Sequence, residues 1–198
     1  MTDAADYRFR IEQTNFVIRD FGGDYSERSK AVSHIAEFFK NVKNKQNRPS
    51  VIFMASLSDY NQVHQKHKGM TLLDESIQYF RVLLSCPDFK DVSFIVFLNK
   101  VDAFHAKLLE YRDFKILGND YPQTDCTTTK QLLDWADSRA VRKFYKVYKS
   151  IRGDANVAAN TDMFFIRLTC ATDTHNMPLI FAATRMRIVH RLMIERFF

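Results

Sequence analysis

The stretch Phe94-Ile95-Val96-Phe97-Leu98-Asn99-Lys100-Val101-Asp102 joins an apolar, strand-like run to an N-K-x-D tetrad. The run predicts a buried strand, and ligands bind at the carboxyl ends of strands in α/β folds. The Asp102 carboxylate can accept two parallel hydrogen bonds from guanine N1–H and the exocyclic amine, a donor pair that adenine lacks. The Asn99 amide can fix the loop and face the other edge of the base, and the Lys100 stem can cover its ring. The tetrad therefore indicates a guanine site, although Asn and Asp are also ordinary turn residues after a strand.

Alternating strand and helix signals lie on both sides of this run. Near the N-terminus the pattern predicts a hairpin that leads into a helix, with Ser26 as its N-cap. Strands separated by helices imply a mainly parallel sheet covered on both faces. The predicted strands cover Arg8 to Glu12, Phe16 to Phe21, Val51 to Leu57, Ser93 to Leu98 and Met163 to Leu168, and the predicted helices cover Ser26 to Phe39, Leu72 to Leu84, Gln131 to Ile151 and Met177 to Glu195.

Length and composition predict one soluble, globular domain. The chain has 198 residues, 46% of them hydrophobic and 26% charged, enough to bury a sizeable core. Because Cys86, Cys126 and Cys170 lack paired spacing, we expect neither a disulfide framework nor a cysteine metal site, which fits a reducing cytosol. The sequence carries no signal-peptide pattern and no apolar stretch of membrane-spanning length. A net charge of +6 permits attraction to anionic lipid, nucleotide or nucleic acid and identifies none of them.

A second motif, Thr169-Cys170-Ala171-Thr172-Asp173-Thr174, follows the last predicted strand. A residue as small as Ala171 lets a backbone N–H approach the guanine O6 closely. The same hexad can instead cap the last helix through Asp173 or Thr174. Its position downstream of the tetrad favours the first interpretation.

A third motif, Asp20-Phe21-Gly22-Gly23, ends a predicted strand with an acid and two glycines. The acid can reach the shell of a magnesium ion, and a glycine N–H can meet a terminal phosphate. A tight turn is the commoner meaning of this pattern.

Together these motifs resemble the heterotrimeric G-protein alpha subunits, colinearly from about residue 2 to residue 198. The resemblance implies an α/β fold, a Ras-like, P-loop GTPase-type three-layer sandwich that spans residues 1–198 as a single domain. The matching residues are Phe16 to Gly23, Ser26 to Lys30, Leu57 to Gln62, Glu75 and Ser76, Phe97 to Asp102, and Thr169 to Asn176.

The resemblance also implies the ligands, GTP or GDP with Mg²⁺, and the residues that bind them. Asp20, Gly22 and Gly23 would face the magnesium ion and the last phosphate, with Asp20 in the outer shell of the ion. By position, Thr2 matches the magnesium-binding switch threonine. The residues implied to bind guanine are Asn99, Lys100, Asp102, Cys170, Ala171 and Thr172.

The implied partners are a G-protein beta-gamma dimer, a G protein-coupled receptor and effector enzymes, and the helix that ends near Phe198 would face the receptor. We expect a cytoplasmic protein, held peripherally at the inner plasma membrane by these partners, with no nucleic-acid partner. The resemblance makes Ser26 to Phe39 the nucleotide-sensitive switch helix. Ala31 replaces a tryptophan of the family, and about ten extra residues near Lys40 to Pro49 follow this helix. Loss of a large aromatic side chain weakens the expected beta-gamma contact.

The chain departs from the family at the phosphate-binding loop. Its five glycines nowhere make the G-x-x-x-x-G-K-[ST] spacing, and the family's first strand, P-loop and all-helical insert lie upstream of the point aligned with Met1. We therefore expect an incomplete fold and weak GTP binding, because the P-loop supplies most contacts to the phosphates. Without the first strand, the strand that ends at Asp20 and the strand Val51 to Leu57 either pair directly or leave two edges open.

Asp24 occupies the position of the water-orienting Gln. An ionised Asp only accepts hydrogen bonds and adds negative charge beside a phosphate, so we expect low or absent GTP turnover. Alternatively, Asp24 helps to cap the switch helix. Two functions follow: a guanine-nucleotide-binding subunit in receptor-coupled signalling with impaired hydrolysis, or a non-catalytic protein that binds family partners independently of nucleotide.

Two further clusters favour structural interpretations. His64 and His67 could offer one edge of a metal site, but the surrounding lysines indicate a solvated basic turn. The basic helix from Arg139 to Arg152 could suggest a nucleic-acid face, but an amphipathic helix with its aromatic residues in the core is the better interpretation.

Overall fold

The computed structural model describes residues 5–11, 14–21, 28–42, 49–122, 128–153 and 163–197. The chain forms two compact units, Met1–Arg48 and Pro49–Phe198. The predictions that concern Thr2, Gly22, Gly23, Asp24, Ser26 and Cys126 lie outside the described residues.

The N-terminal unit contains the predicted hairpin and helix. Strands β1 (Ala5–Ile11) and β2 (Thr14–Asp20) pair antiparallel over their whole length, and helix α1 (Arg28–Val42) follows. The Arg19 guanidinium donates two hydrogen bonds, of 2.6 and 2.8 Å, to the Asp6 carboxylate across the hairpin. This donation lowers the pKa of Asp6, and the same guanidinium lies 4.5 Å from the centre of the Phe38 ring on α1.

The C-terminal unit contains the predicted parallel sheet. Strands β3 (Ser50–Ser56), β4 (Ser93–Asn99) and β5 (Phe164–Leu168) lie in the order β3-β4-β5. In the register of this sheet, Ser56 is opposite Asn99 and Leu98 is opposite Leu168. The carboxyl ends of all three strands therefore lie side by side at the same end of the sheet.

Helices α2 (Leu72–Ser85), α3 (Val101–Tyr111), α4 (Thr129–Arg152) and α5 (Asn176–Phe197) connect or follow these strands. Capping boxes begin two of them, because Thr71 pairs with Asp74 at α2 and Thr128 pairs with Gln131 at α4. Helix α3 has no counterpart among the helices predicted from the sequence.

Aromatic side chains fill the core between the sheet and helices α2 and α4. Phe80 has no exposed surface, and its ring centre lies 5.1 to 6.2 Å from those of four other phenylalanines: Phe53, Phe94, Phe144 and Phe164. Such ring pairs stabilise the core beyond what the buried area of each ring contributes.

Helix α4 largely confirms the amphipathic interpretation. Phe144 and Tyr148 are buried, as expected for aromatic residues on the core side, but Tyr145 is 40% exposed. Adjacent positions on a helix point about 100° apart, so Tyr145 lies to one side of Phe144, and its ring centre is 6.2 Å from that of Phe164.

The opposite face of the sheet is only partly covered. Ile95, Phe97 and Phe165 pack against Ile180, Ala183 and Ile188 of α5. On β3, however, Ile52 and Met54 are 39% and 59% exposed. The prediction of a sheet covered on both faces is therefore wrong at this strand, which lies at the sheet edge furthest from β5.

Each unit contains its own strand pairing. In the N-terminal unit β2 pairs with β1, and in the C-terminal unit β3 pairs with β4.

Candidate nucleotide-binding site

The candidate site lies where β4 and β5 end side by side. Past the paired residues Leu98 and Leu168, the Thr169 N–H donates to the Leu98 carbonyl at 2.8 Å, and the Val101 N–H donates to the Thr169 carbonyl at 3.2 Å. These backbone bonds continue the sheet into the two following loops. The tetrad and the hexad of the sequence are therefore in contact.

Asn99 holds the two loops together with its side-chain oxygen. Its Oδ1 accepts the Ala171 backbone N–H at 3.1 Å and the Thr169 hydroxyl at 3.2 Å. Because a backbone N–H can only donate, this network fixes the orientation of the Asn99 amide. Its amino group is then the end that can donate to a ligand, as the proposed contact with the base requires.

Lys100 adopts a backbone conformation that is uncommon for a residue with a side chain. At the N-cap of α3, its φ and ψ are 60° and 40°, in the left-handed region. A non-glycine residue pays roughly 1–2 kcal/mol for this conformation. Such local strain is frequent at ligand sites, and here it turns the chain sharply from β4 into α3.

Asp102 lies in the first turn of α3, where helix N–H groups favour an anion. A hydrogen bond from the Cys170 thiol, followed by bonds from the backbone N–H groups of Ala103 and Asp102 itself, lowers the pKa of this carboxyl. Asp102 is therefore ionised at neutral pH and can only accept hydrogen bonds. Cys170 in turn lies 3.1 Å, sulfur to oxygen, from the Thr172 hydroxyl.

The second half of the hexad caps a helix. Asp173 Oδ1 accepts the backbone N–H groups of His175 and Asn176, and its Oδ2 accepts the Asn176 side-chain amide. These bonds, led by that of Asn176, lower the pKa of Asp173. The two interpretations of the hexad thus apply to different residues, because Thr169 to Ala171 contact Asn99 while Asp173 caps α5.

Thr169 is the residue of this arrangement for which the sequence predicted no individual role. It is 2% exposed, and its backbone and hydroxyl join the ends of β4 and β5. Its place directly after an apolar strand was the available signal, but hydroxyl residues at that place are common.

The predicted phosphate and magnesium residues are described in part. Asp20 is the last residue of β2 in the N-terminal unit, where it pairs with Ala5. The other residues predicted for this role, Thr2, Gly22 and Gly23, lie outside the described residues, as does Asp24. Within the described parts of the chain, no three His, Cys, Asp or Glu side chains are grouped to hold a metal ion.

His64 differs from the predicted solvated turn. It is 6% exposed, its Nδ1 accepts the backbone N–H groups of Lys66 and His67, and its Nε2 lies 3.6 Å from the buried Glu75 carboxylate. The prediction failed because Glu75, eleven positions along the sequence, is brought close only by the fold. The arrangement is that of a buried residue that fixes a loop.

The fold defines a class, an α/β protein in which polar side chains cluster at the carboxyl ends of parallel strands, the place where such folds bind ligands. A family model described as "G-protein alpha subunit" matches residues 1–188. The chain therefore belongs to the G-protein alpha subunit family, as its motifs predicted. Guanine-nucleotide binding and signal transduction are the general roles of that family. Among the described helices, none combines the length and the apolar character needed to cross a membrane.

Proposed function

We propose that this chain is a G-protein alpha-like protein that binds guanine nucleotides through the ends of β4 and β5 and hydrolyses GTP slowly or not at all. One observation carries the proposal: Asn99 and Asp102, the two residues suited to read guanine, follow one another at the end of β4, and Asn99 is joined to Ala171 and Thr169 of the hexad by hydrogen bonds of 3.1 and 3.2 Å. Because these hydrogen bonds already join the two loops without a ligand, less order has to be imposed on binding, which lowers its cost.

The chemistry of these side chains favours guanine over adenine. An ionised Asp102 accepts from the N1–H and the amine of guanine, and charge-assisted bonds of this kind are worth about 1.5–3 kcal/mol. The amino group of Asn99 can donate to the opposite edge of the base, and the Lys100 stem can lie on its ring face. By family membership, Cys170, Ala171 and Thr172 complete the base site.

The proposal of slow hydrolysis rests on the sequence. Magnesium and the last phosphate are assigned by family membership to Asp20, Gly22 and Gly23, and no G-x-x-x-x-G-K-[ST] motif occurs in the 198 residues. Asp24 occupies the position of the water-orienting Gln. An ionised Asp can accept a hydrogen bond from the attacking water but cannot donate one as Gln does, and its negative charge repels the phosphate. Mg²⁺, when bound, would neutralise phosphate charge.

A thermal melt of the full chain with Mg²⁺ and excess GDP, GTPγS or ATP tests nucleotide binding. A ligand at a hundred times its Kd stabilises the folded state by about 2.7 kcal/mol, which corresponds to a rise in Tm of roughly 5–10 °C for a chain of this size. We expect that rise with GDP and GTPγS and not with ATP. Asp102→Ala should abolish it, and Glu110→Ala, at an exposed position on the same helix, should retain it.

Two results would contradict the proposal. An equal rise with ATP would show that the site does not read the base, and a cooperative melt unaffected by any nucleotide would show that these 198 residues do not bind one. Release of inorganic phosphate from GTP, measured at saturating nucleotide, separately tests the expected low turnover.

A second candidate function is a non-catalytic interaction protein that binds a beta-gamma dimer, a receptor or an effector independently of nucleotide. Two features of the sequence favour it: the 198 residues contain no P-loop motif, and Asp24 occupies the position of the water-orienting Gln. It predicts that an immobilised beta-gamma dimer captures the chain equally with GDP, with GTPγS and without nucleotide. Nucleotide-dependent capture would exclude this candidate and support the first.

A further inference from the structure

Strand β3 offers an open edge for pairing with another strand. Within residues 49–197, as far as the structure describes them, β3 pairs with β4 on one side, and no backbone hydrogen bond reaches its other side. The row of backbone N–H and C=O groups on such an edge can pair with an added strand. Ile52 and Met54 stand exposed on one face beside it.

The two edges of this sheet differ in how they are protected. At the opposite edge, β5 has five residues and carries the exposed Arg167, a charge of the kind that discourages edge pairing. Strand β3 has seven residues, Ser-Val-Ile-Phe-Met-Ala-Ser, with no charge, proline or glycine. This composition favours pairing between strands.

The sequence of β3 complements itself when it is reversed. An antiparallel pair centred on Phe53 places Ser50 opposite Ser56 and Ile52 opposite Met54, so polar residues meet polar ones and apolar residues meet apolar ones. A two-fold axis through this centre keeps Ile52 and the partner's Met54 on the same face, because residues two apart share a face. No like charges meet within the strand pair.

We propose that β3 is a self-association surface, through which two copies of this chain pair antiparallel about Phe53 and form one continuous sheet. Such an isologous interface buries the exposed Ile52 and Met54 side chains of each copy against those of the other. It also completes the hydrogen bonds of both β3 edges. Because each chain carries a net charge of +6, added salt should promote the association by screening the long-range repulsion.

Sedimentation of the full chain over a range of concentrations tests the proposal. We expect the mean mass to rise from 23.3 kDa towards twice that value with concentration and with salt. Met54→Lys should raise the dimer Kd about tenfold or more, since it places a charge in both halves of the interface. Val82→Lys is the matched control, because Val82 is 53% exposed on α2, and it should leave the Kd unchanged.

Disulfide trapping tests the register. Directly opposite Cα atoms in an antiparallel pair lie about 4.5–5.5 Å apart, within the span of a disulfide, whereas diagonal neighbours at about 7–8 Å exceed it. A mixture of Ile52→Cys and Met54→Cys chains should therefore cross-link more than either variant alone. Wild-type chain oxidised in parallel controls for the native cysteines.

Three results would overturn the proposal. The first is a wild-type chain with a folded circular dichroism spectrum that stays monomeric at every concentration, which would leave the edge to a strand of a different protein. The second is an equal effect of Met54→Lys and Val82→Lys, which would indicate non-specific aggregation. The third is equal cross-linking of the single variants and the mixture.

Discussion

At the scale of single residues, Asn99, Lys100 and Asp102 divide the work of the candidate site. Asn99 joins the two loops, and Lys100 turns the chain through a left-handed conformation. That turn brings Asp102 to the N-terminus of α3 with a lowered pKa. The three roles are physically distinct, and substitutions can separate them.

Asp102→Asn should change base preference from guanine to xanthine. Xanthine carries a carbonyl where guanine carries its amine, and an amide side chain offers one acceptor and one donor to match it. We expect GDP binding to weaken about 10- to 100-fold, the equivalent of one charge-assisted hydrogen bond. Titration with GDP and xanthosine diphosphate measures both affinities. Loss of GDP binding without any gain for xanthosine diphosphate would contradict direct contact between Asp102 and the base.

Lys100→Gly should stabilise the fold and weaken nucleotide binding. Glycine adopts the left-handed conformation without steric cost, so we expect the free energy of unfolding to rise by about 0.5–1 kcal/mol in urea denaturation. Arg112→Gly is the matched control, because Arg112 ends the same helix at a φ of 53°. It should stabilise the protein similarly and leave GDP affinity unchanged. Equal GDP affinity for both variants would remove Lys100 from the site.

At the scale of elements, polar side chains determine where helices begin. Capping boxes start α2 and α4, and Asp173 caps α5 directly after the loop that contacts Asn99. The last helix and the candidate site are therefore joined within a few residues. A change at the start of α5 is therefore expected to reach Thr169 to Ala171, which contact Asn99, through the backbone.

The Asp173 cap should make the stability of α5 depend on pH. Because the pKa of Asp173 is lowered in the folded state, its contribution is complete above its ordinary value of 3.8 and is lost as the pH falls below it. Urea denaturation at neutral pH and below pH 3.8 should show a smaller acid-induced loss for Asp173→Asn than for wild type. Glu110→Gln controls for general charge removal. An identical acid loss in Asp173→Asn and wild type would exclude the cap as its source.

At the scale of the whole molecule, the C-terminal unit is organised around aromatic packing between the sheet and helices α2 and α4. Phe80 contacts rings from β3, β4, α4 and β5, so one side chain links all three strands. The other face of the sheet is buried mainly where α5 covers it. This imbalance leaves Ile52 and Met54 of β3 exposed.

Phe80→Ala should cost about 3–5 kcal/mol, because removal of a large buried side chain loses its transfer free energy and leaves a cavity. That is a large part of the roughly 5–15 kcal/mol that stabilises a typical domain. Phe80→Leu should cost less, and Val82→Ala, at the exposed position two residues away, should be close to neutral. Urea denaturation gives all three values. A cost below about 1 kcal/mol for Phe80→Ala would mean that the core is not organised around this ring.

Most elements were predictable because their signals are local. Apolar runs bounded by polar turns predicted all five described strands, and helical periodicity predicted four helices to within a few residues. Helix α3 was missed because its first residues belong to the N-K-x-D tetrad, which was interpreted as a loop. The membership of the family was also predictable, since its motifs are short and contiguous in sequence.

The sequence by itself determined the order of strands and helices and the residue types suited to read guanine, because both depend on neighbouring residues. The tertiary structure decided which of these residues meet. It placed Asn99 against Ala171, brought Glu75 beside the buried His64, and left Ile52 and Met54 exposed on β3. Contacts between residues far apart along the chain depend on the register of the sheet and on which helix covers which face, and a local pattern carries neither.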